Sequence, residues 1–330
     1  MGYCLSKDKF FRSFTSMTKD FDIWAPVLKK GEGTFSDIDV VRYDKVENLD
    51  EIEWEKRSDY SFKEALLKIR ETIFYFTEDQ TIVPKDPEKN LLIFLRACDL
   101  HALKRLDQIY LHNGSEDFYY ARIREKAYFV LMECSQTCSS GFCVSMGTNQ
   151  TEDYDAFIRL KNEEVFFDVK NEKIETYFVG EEKATVVPEF VEENKEKVTL
   201  PDVLPKDVGS LSIWKEYGER CISCGRCNFV CPTCTCFTMQ DIFYRDNAHA
   251  GERRRVWASC QVDGYDTIAG GHSFRNSKGD RFRFKVMHKI EDFKKRFGYT
   301  MCVGCGRCDS VCPEYISYSN LVNRLGKGDF

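Results

Sequence analysis

No apolar run in this 330-residue sequence approaches the roughly 18 residues that a membrane-spanning helix needs. Nor does any long block of Lys and Arg offset the net charge of −6, because the acidic residues are spread throughout. The first absence excludes an α-helical anchor, and the second argues against a nucleic-acid partner. The N-terminus lacks the basic, apolar and small-residue succession of an export signal, so the expectation is a cytoplasmic chain with no membrane and no nucleic acid among its partners. No Walker loop and no nucleophile–base pair can be found, and Gly31-Glu32-Gly33 lacks the third glycine and the strand–turn–helix setting of a dinucleotide loop. Catalysis by this chain alone is therefore not expected. Hydrophobic residues make up 42% and aromatic residues 14%, enough for a packed core.

What the sequence has in quantity is cysteine. Eleven of its sixteen cysteines lie between Cys221 and Cys312. In a long chain without an export signal, that clustering points to reduced thiolates holding metal rather than to disulfides. The pattern C-x2-C-x2-C-x3-C-P occurs twice, at Cys221, Cys224, Cys227, Cys231, Pro232 and at Cys302, Cys305, Cys308, Cys312, Pro313. This is the spacing that holds cubane iron–sulfur clusters in bacterial ferredoxins, where the fourth cysteine ligates the other cluster. Two neighbouring [4Fe–4S] clusters with crossed ligation are expected: Cys221, Cys224, Cys227 and Cys312 on one, Cys302, Cys305, Cys308 and Cys231 on the other. Gly225 and Gly306 suit a backbone that must turn its N–H groups toward sulfur, and Pro232 and Pro313 suit the first turn of a departing helix. The competing reading is a pair of Cys4 zinc sites in a stapled scaffold without a redox role. Zinc requires neither the third cysteine at this spacing nor the proline.

Along the chain, residues 1 to about 20 read as an amphipathic helix, a short strand is expected around Ile38 to Tyr43, and residues 61–76 look helical. Leu91 to Leu95 and Ala127 to Met132 are continuous apolar runs, the mark of strands buried on both faces. Each ends near a cysteine, Cys98 and Cys134, at the carboxyl end where α/β sheets gather ligand sites. Tyr154 to Val179 reads as an antiparallel meander. A Glu-, Lys- and Pro-rich stretch from Gly180 to Ser210 suggests a linker with a boundary near Val208. The expected architecture is an α/β (or α+β) domain over 1–208, followed by a mainly α-helical dicluster ferredoxin domain over 209–330. The long insert between the motifs is expected to be helical.

The two cubanes do not use Cys98, Cys134, Cys143, Cys234, Cys236 or Cys260. A third [4Fe–4S] cluster would draw on this pool, with Cys234, Cys236, Cys260 and Cys143 as the preferred set. The alternative is that these thiols pack as small buried hydrophobes. A cubane held by four thiolates is anionic, so Arg226 and Arg307 inside the motifs are candidates for tuning its potential. Arg253, Arg254 and Arg255 read either as an anion-binding edge or as a solvated charged face.

The ordered set R-A-C-D-L-H-A-L (Arg96 to Leu103), F-C-V-S-M-G-T-N (Phe142 to Asn149), C-I-S-C-G-R-C with C-P-T-C-T-C (Cys221 to Cys236), E-R-R-R-V-W-A-S-C (Glu252 to Cys260), A-G-G-H-S-F-R (Ala269 to Arg275) and C-V-G-C-G-R-C (Cys302 to Cys308) resembles the iron–sulfur subunit family of anaerobic sulfite reductase over about Phe21 to Pro313. That resemblance implies an electron-transfer subunit. It would relay electrons from an NADH-oxidising subunit carrying flavin and a [2Fe–2S] cluster to a siroheme subunit that reduces sulfite to sulfide. The layout is also similar to the beta subunit of soluble nickel–iron hydrogenases. Cys138 is not expected from the family pattern.

Overall fold

The computed structural model describes residues 2–33, 37–134 and 136–330. It divides into two compact units that are interleaved in sequence. The first comprises residues 1–68, 85–137 and 148–193, and the second 69–84, 138–147 and 194–330. A linear boundary near Val208 makes the chain two consecutive pieces; instead, two short segments from the first half belong with the cysteine motifs.

The first unit is built on a seven-stranded mixed sheet of order β1-β9-β8-β7-β6-β2-β3. Its strands are β1 (Gly2–Ser6), β2 (Phe21–Lys29), β3 (Val40–Lys45), β6 (Asn90–Leu95), β7 (Ala127–Met132), β8 (Ala156–Lys161) and β9 (Glu164–Val169). β6 pairs in parallel with both β2 and β7, which explains why its apolar run does not alternate. β9, near the sheet edge, alternates buried Val165, Phe167 and Val169 with more exposed neighbours. The turn between β8 and β9 places Asn162 and Glu163 at positive φ. Phe10 and Phe14 of the helix Lys7–Met17 pack with Phe94, Phe167 and Phe178 in one core. The N-terminal segment departs from the helix expected there, because Gly2–Ser6 pairs antiparallel with β9 before Ser6 caps the helix.

The second unit holds a four-stranded sheet, β10-β11-β4-β5, formed by β4 (Arg70–Phe76), β5 (Thr81–Ile82), β10 (Phe237–Tyr244) and β11 (Asn247–Trp257). Two expectations are corrected here. Residues 61–76 yield only one helical turn, Lys63–Leu66, before β4. The insert between the motifs opens as a hairpin, so this region is mixed sheet and helix rather than mainly helical. The reason is pairing at long range: the aromatic and β-branched run Thr72 to Phe76 finds its partner in β11. Arg253 pairs across to Asp241 of β10 and buried Arg255 to Glu71 of β4 at 2.9 Å, tying neighbouring strands, while Arg254 pairs with Glu252 along β11 itself. Helices Ser212–Arg220, Lys278–Met287 and Tyr318–Lys327 form the rest of the core around Ile213, Trp214, Phe282, Val286 and Leu321. Gly218 and Gly279 allow the first two helices to touch, since a Cβ on Gly218 would stand 2.6 Å from the Gly279 nitrogen. Among the described residues no helix is long and apolar enough to cross a membrane.

Candidate iron–sulfur centre

Both cysteine motifs adopt the same backbone. Ser223 and Gly304, one residue before the second cysteine of each motif, have φ of 57° and 64°; Gly225 and Gly306, one residue after it, have 74° and 70°. Their amides turn inward, with Ser223 N–H and Gly304 N–H each donating to the first cysteine of its motif, Cys221 or Cys302, at 3.4 Å. Gly225 and Gly306 then begin the short helices Arg226–Phe229 and Arg307–Ser310, which carry the third cysteines, Cys227 and Cys308. The 138–147 segment braces the second motif. Phe142 N–H donates to Gly304 O at 2.7 Å, and the Ser140 hydroxyl donates to Gly306 O at 3.0 Å. Asp309 fastens this motif to the last helix, accepting from Tyr318 N–H at 2.8 Å and from the Ser319 hydroxyl at 3.0 Å.

Two cavities open inside this frame. One is lined by Cys221, Cys224, Cys227 and Cys312. The other is lined by Cys231, Cys302 and Cys305. Each therefore brings the last cysteine of one motif to the leading cysteines of the other. Cys308, Lys285 and Tyr318 line both cavities and form a shared wall. The Tyr318 hydroxyl is buried there with no hydrogen-bond partner.

Sequence reasoning passed over two residues of this site, Lys285 and Lys289, which are only 5% and 4% exposed. Lys285 bonds to Cys227, and Lys289 donates to the Thr233 hydroxyl at 2.7 Å, which in turn meets Cys231 sulfur at 3.5 Å. Burial works against both ammonium groups, yet the facing cysteines raise both above the ordinary lysine range. A signal was available in the sequence. Phe282, Lys285, Val286, Lys289 and Ile290 share one stripe of a helix, so both lysines sit where apolar residues belong. A π-turn over His288–Asp292 follows, and the Lys289 carbonyl accepts from the amides of Met301 and Cys302, tying the second motif to this helix.

The cysteines assigned to a third cluster divide into separate settings. Cys236 bonds to Cys260, whose sulfur also accepts from Asn228 Nδ2 at 3.1 Å and Gln261 Nε2 at 3.5 Å. Those donors hold the Cys260 thiol down to about 6, while the same contact and burial push Cys236 up. Cys234 bonds to Cys231, which it holds well below the usual thiol range. Cys143 faces the Asn194 side chain at 3.6 Å, with Cys138 nearby. Burial pushes Cys302 up to about 12 and raises Cys227 and Cys308 as well. Arg307 is 1% exposed, whereas Arg226 faces solvent. Among the described residues no disulfide joins any of the cysteines. Among the described residues no group of three His, Cys, Asp or Glu side chains converges as ligands to a single metal ion.

Comparison with known proteins decides the chemistry. Residues 220–316 match the profile of the 4Fe-4S dicluster domain. This region is an iron–sulfur domain. Over nearly the whole chain, the sequence is 29% identical to Sulfhydrogenase 2 subunit beta of Pyrococcus furiosus, in an alignment of 352 residues covering 99% of each protein. No solved structure matches the chain.

Proposed function

We propose that this chain is a beta-type electron-transfer subunit of a nickel–iron hydrogenase complex, passing single electrons through two [4Fe–4S] clusters. The observation that carries the reading is the pair of cavities, each lined by the leading cysteines of one motif together with the last cysteine of the other. Cys221, Cys224, Cys227 and Cys312 would hold one cluster, and Cys302, Cys305, Cys308 and Cys231 the other. Thiolate sets at this spacing fit a cubane, and so does the buried, partnerless hydroxyl of Tyr318, a donor on the wall of both cavities that cluster sulfide could satisfy. When bound, the clusters supply reversible one-electron storage. The chain excludes water from the shared wall, fixes the cluster sulfurs' surroundings with amides of Ser223 and Gly304, and buries two cations beside an anionic group.

The hydrogenase assignment is supported by the full-length relative, whose own name is that of a hydrogenase subunit. The ordered motifs from Arg96 to Cys308 favour a second reading, the relay subunit of an anaerobic sulfite reductase, working between an NADH-oxidising flavin/[2Fe–2S] protein and a siroheme protein. Anaerobic purification of the tagged chain with its natural partners separates the two. Hydrogen-dependent dye reduction in the purified complex is expected. NADH-linked sulfite reduction without hydrogen uptake would replace the first reading by the second.

A further inference from the structure

Lys285 and Lys289 are four residues apart on one helical stripe, but they face the cavities differently. Lys285 lines both cavities, on the wall it shares with Cys308 and Tyr318. Lys289 lines only the cavity of Cys231, Cys302 and Cys305, where it reaches Cys231 through Thr233. A buried ammonium is costly unless an anion faces it. Here the facing anions are the thiolates of the proposed clusters. Charge interaction falls with distance and strengthens where water is excluded, so the position of each cation determines which cluster it acts on. A fixed positive charge favours the reduced, more negative cluster and so raises its potential.

Building on the two-cluster reading above, we infer that Lys285 is a common electrostatic control on both clusters, whereas Lys289 acts on the Cys302 cluster alone. Lys285 thereby sets the common level of the two potentials, and Lys289 sets the difference between them and with it the cluster on which an electron rests. Both are positioning residues: neither is a ligand, and neither exchanges a proton in this account.

The test is an EPR-monitored redox titration of the anaerobically purified full-length chain, with iron counted in each sample. Lys285→Met keeps the apolar stem and removes the charge, and is expected to move both potentials to more negative values; Lys285→Arg is expected to restore both. Lys289→Met is expected to move one potential and leave the other in place. The inference is overturned if Lys285→Met leaves both potentials unmoved or shifts only one. Should that variant bind fewer than about eight irons, Lys285→Gln takes its place in the comparison. Independently, Lys289→Met overturns the partition if it moves both potentials alike or neither. A wild-type chain holding zinc, or no iron, defeats the two-cluster reading itself; full iron with unmoved potentials defeats this inference alone.

Discussion

Replacing Gly306 by alanine probes the frame of the second motif at its tightest point. Gly306 has φ of 70°, and a Cβ there would stand 2.0 Å from the Ser140 carbonyl oxygen and 2.4 Å from its carbon. Neither neighbour is a flexible tip, so the 138–147 segment must retreat. That retreat breaks both the 3.0 Å bond from the Ser140 hydroxyl to Gly306 O and the 2.7 Å bond from Phe142 N–H to Gly304 O. The left-handed conformation costs alanine about 1 kcal/mol, and two lost hydrogen bonds cost about 1 kcal/mol each. A total of about 3 kcal/mol corresponds to a melting temperature lowered by roughly 6–12 °C for a unit of this size. Gly298→Ala is the control, because Gly298 also has positive φ, 86°, yet nothing lies within 4 Å of its added Cβ. It should lose only the conformational part, roughly 2–4 °C. Anaerobic thermal unfolding followed by circular dichroism measures both. If Gly306→Ala melts together with Gly298→Ala, the close packing of segment 138–147 on the motif is refuted.

Cys305→Ala should reduce iron from about eight to about four atoms per chain while one cubane signal survives in EPR; unchanged iron refutes the ligand assignment. Arg307→Ala, at a fully buried guanidinium, should destabilise by about 3 kcal/mol, against less than about 0.5 kcal/mol for the exposed Arg226→Ala. Equal effects in denaturant titrations would contradict the difference in burial. His288 is pushed down to about 4, first by its burial and then by neighbouring Lys289. The folded chain therefore keeps it neutral while the unfolded chain takes up a proton below its usual value of about 6.5. Stability should fall as pH drops from about 6.5 toward 4, by up to about 3 kcal/mol. The variant His288→Phe should flatten that slope, and a wild-type slope in the variant assigns the effect elsewhere.

The cysteine spacing alone was enough to read the iron–sulfur chemistry, because each motif is a local turn whose geometry depends on a few residues. β6 and β7 were equally legible, since strands buried on both faces leave unbroken apolar runs. The sheet of the second unit was not. β4 and β11 pair across a long stretch of sequence, and most of β10 is exposed, so it shows no clean alternation of buried and open positions. The helix expected over 61–76 failed for the same reason, as the partner that converts Arg70 to Phe76 into a strand lies in the later hairpin. The interleaving of the units depends on the same kind of distant contact. The buried lysines were readable in principle, as charges on the stripe of Phe282, Val286 and Ile290, but a cation on an apolar face has meaning only once the anion opposite it is known. The resemblance carried by the motifs from Arg96 to Cys308 pointed to a relay in sulfite reduction, whereas the full-length relative bears the name of a hydrogenase subunit, so the enzyme that the relay serves was not legible in those motifs.

Metal analysis with EPR on the anaerobically purified, dithionite-reduced chain tests the central claim most directly. About eight irons per chain and the interacting signals of two neighbouring cubanes are expected. About twelve irons would add a third cluster from the pool of Cys143, Cys234, Cys236 and Cys260. Stoichiometric zinc with no iron would contradict the electron-transfer account and leave a stapled scaffold in its place.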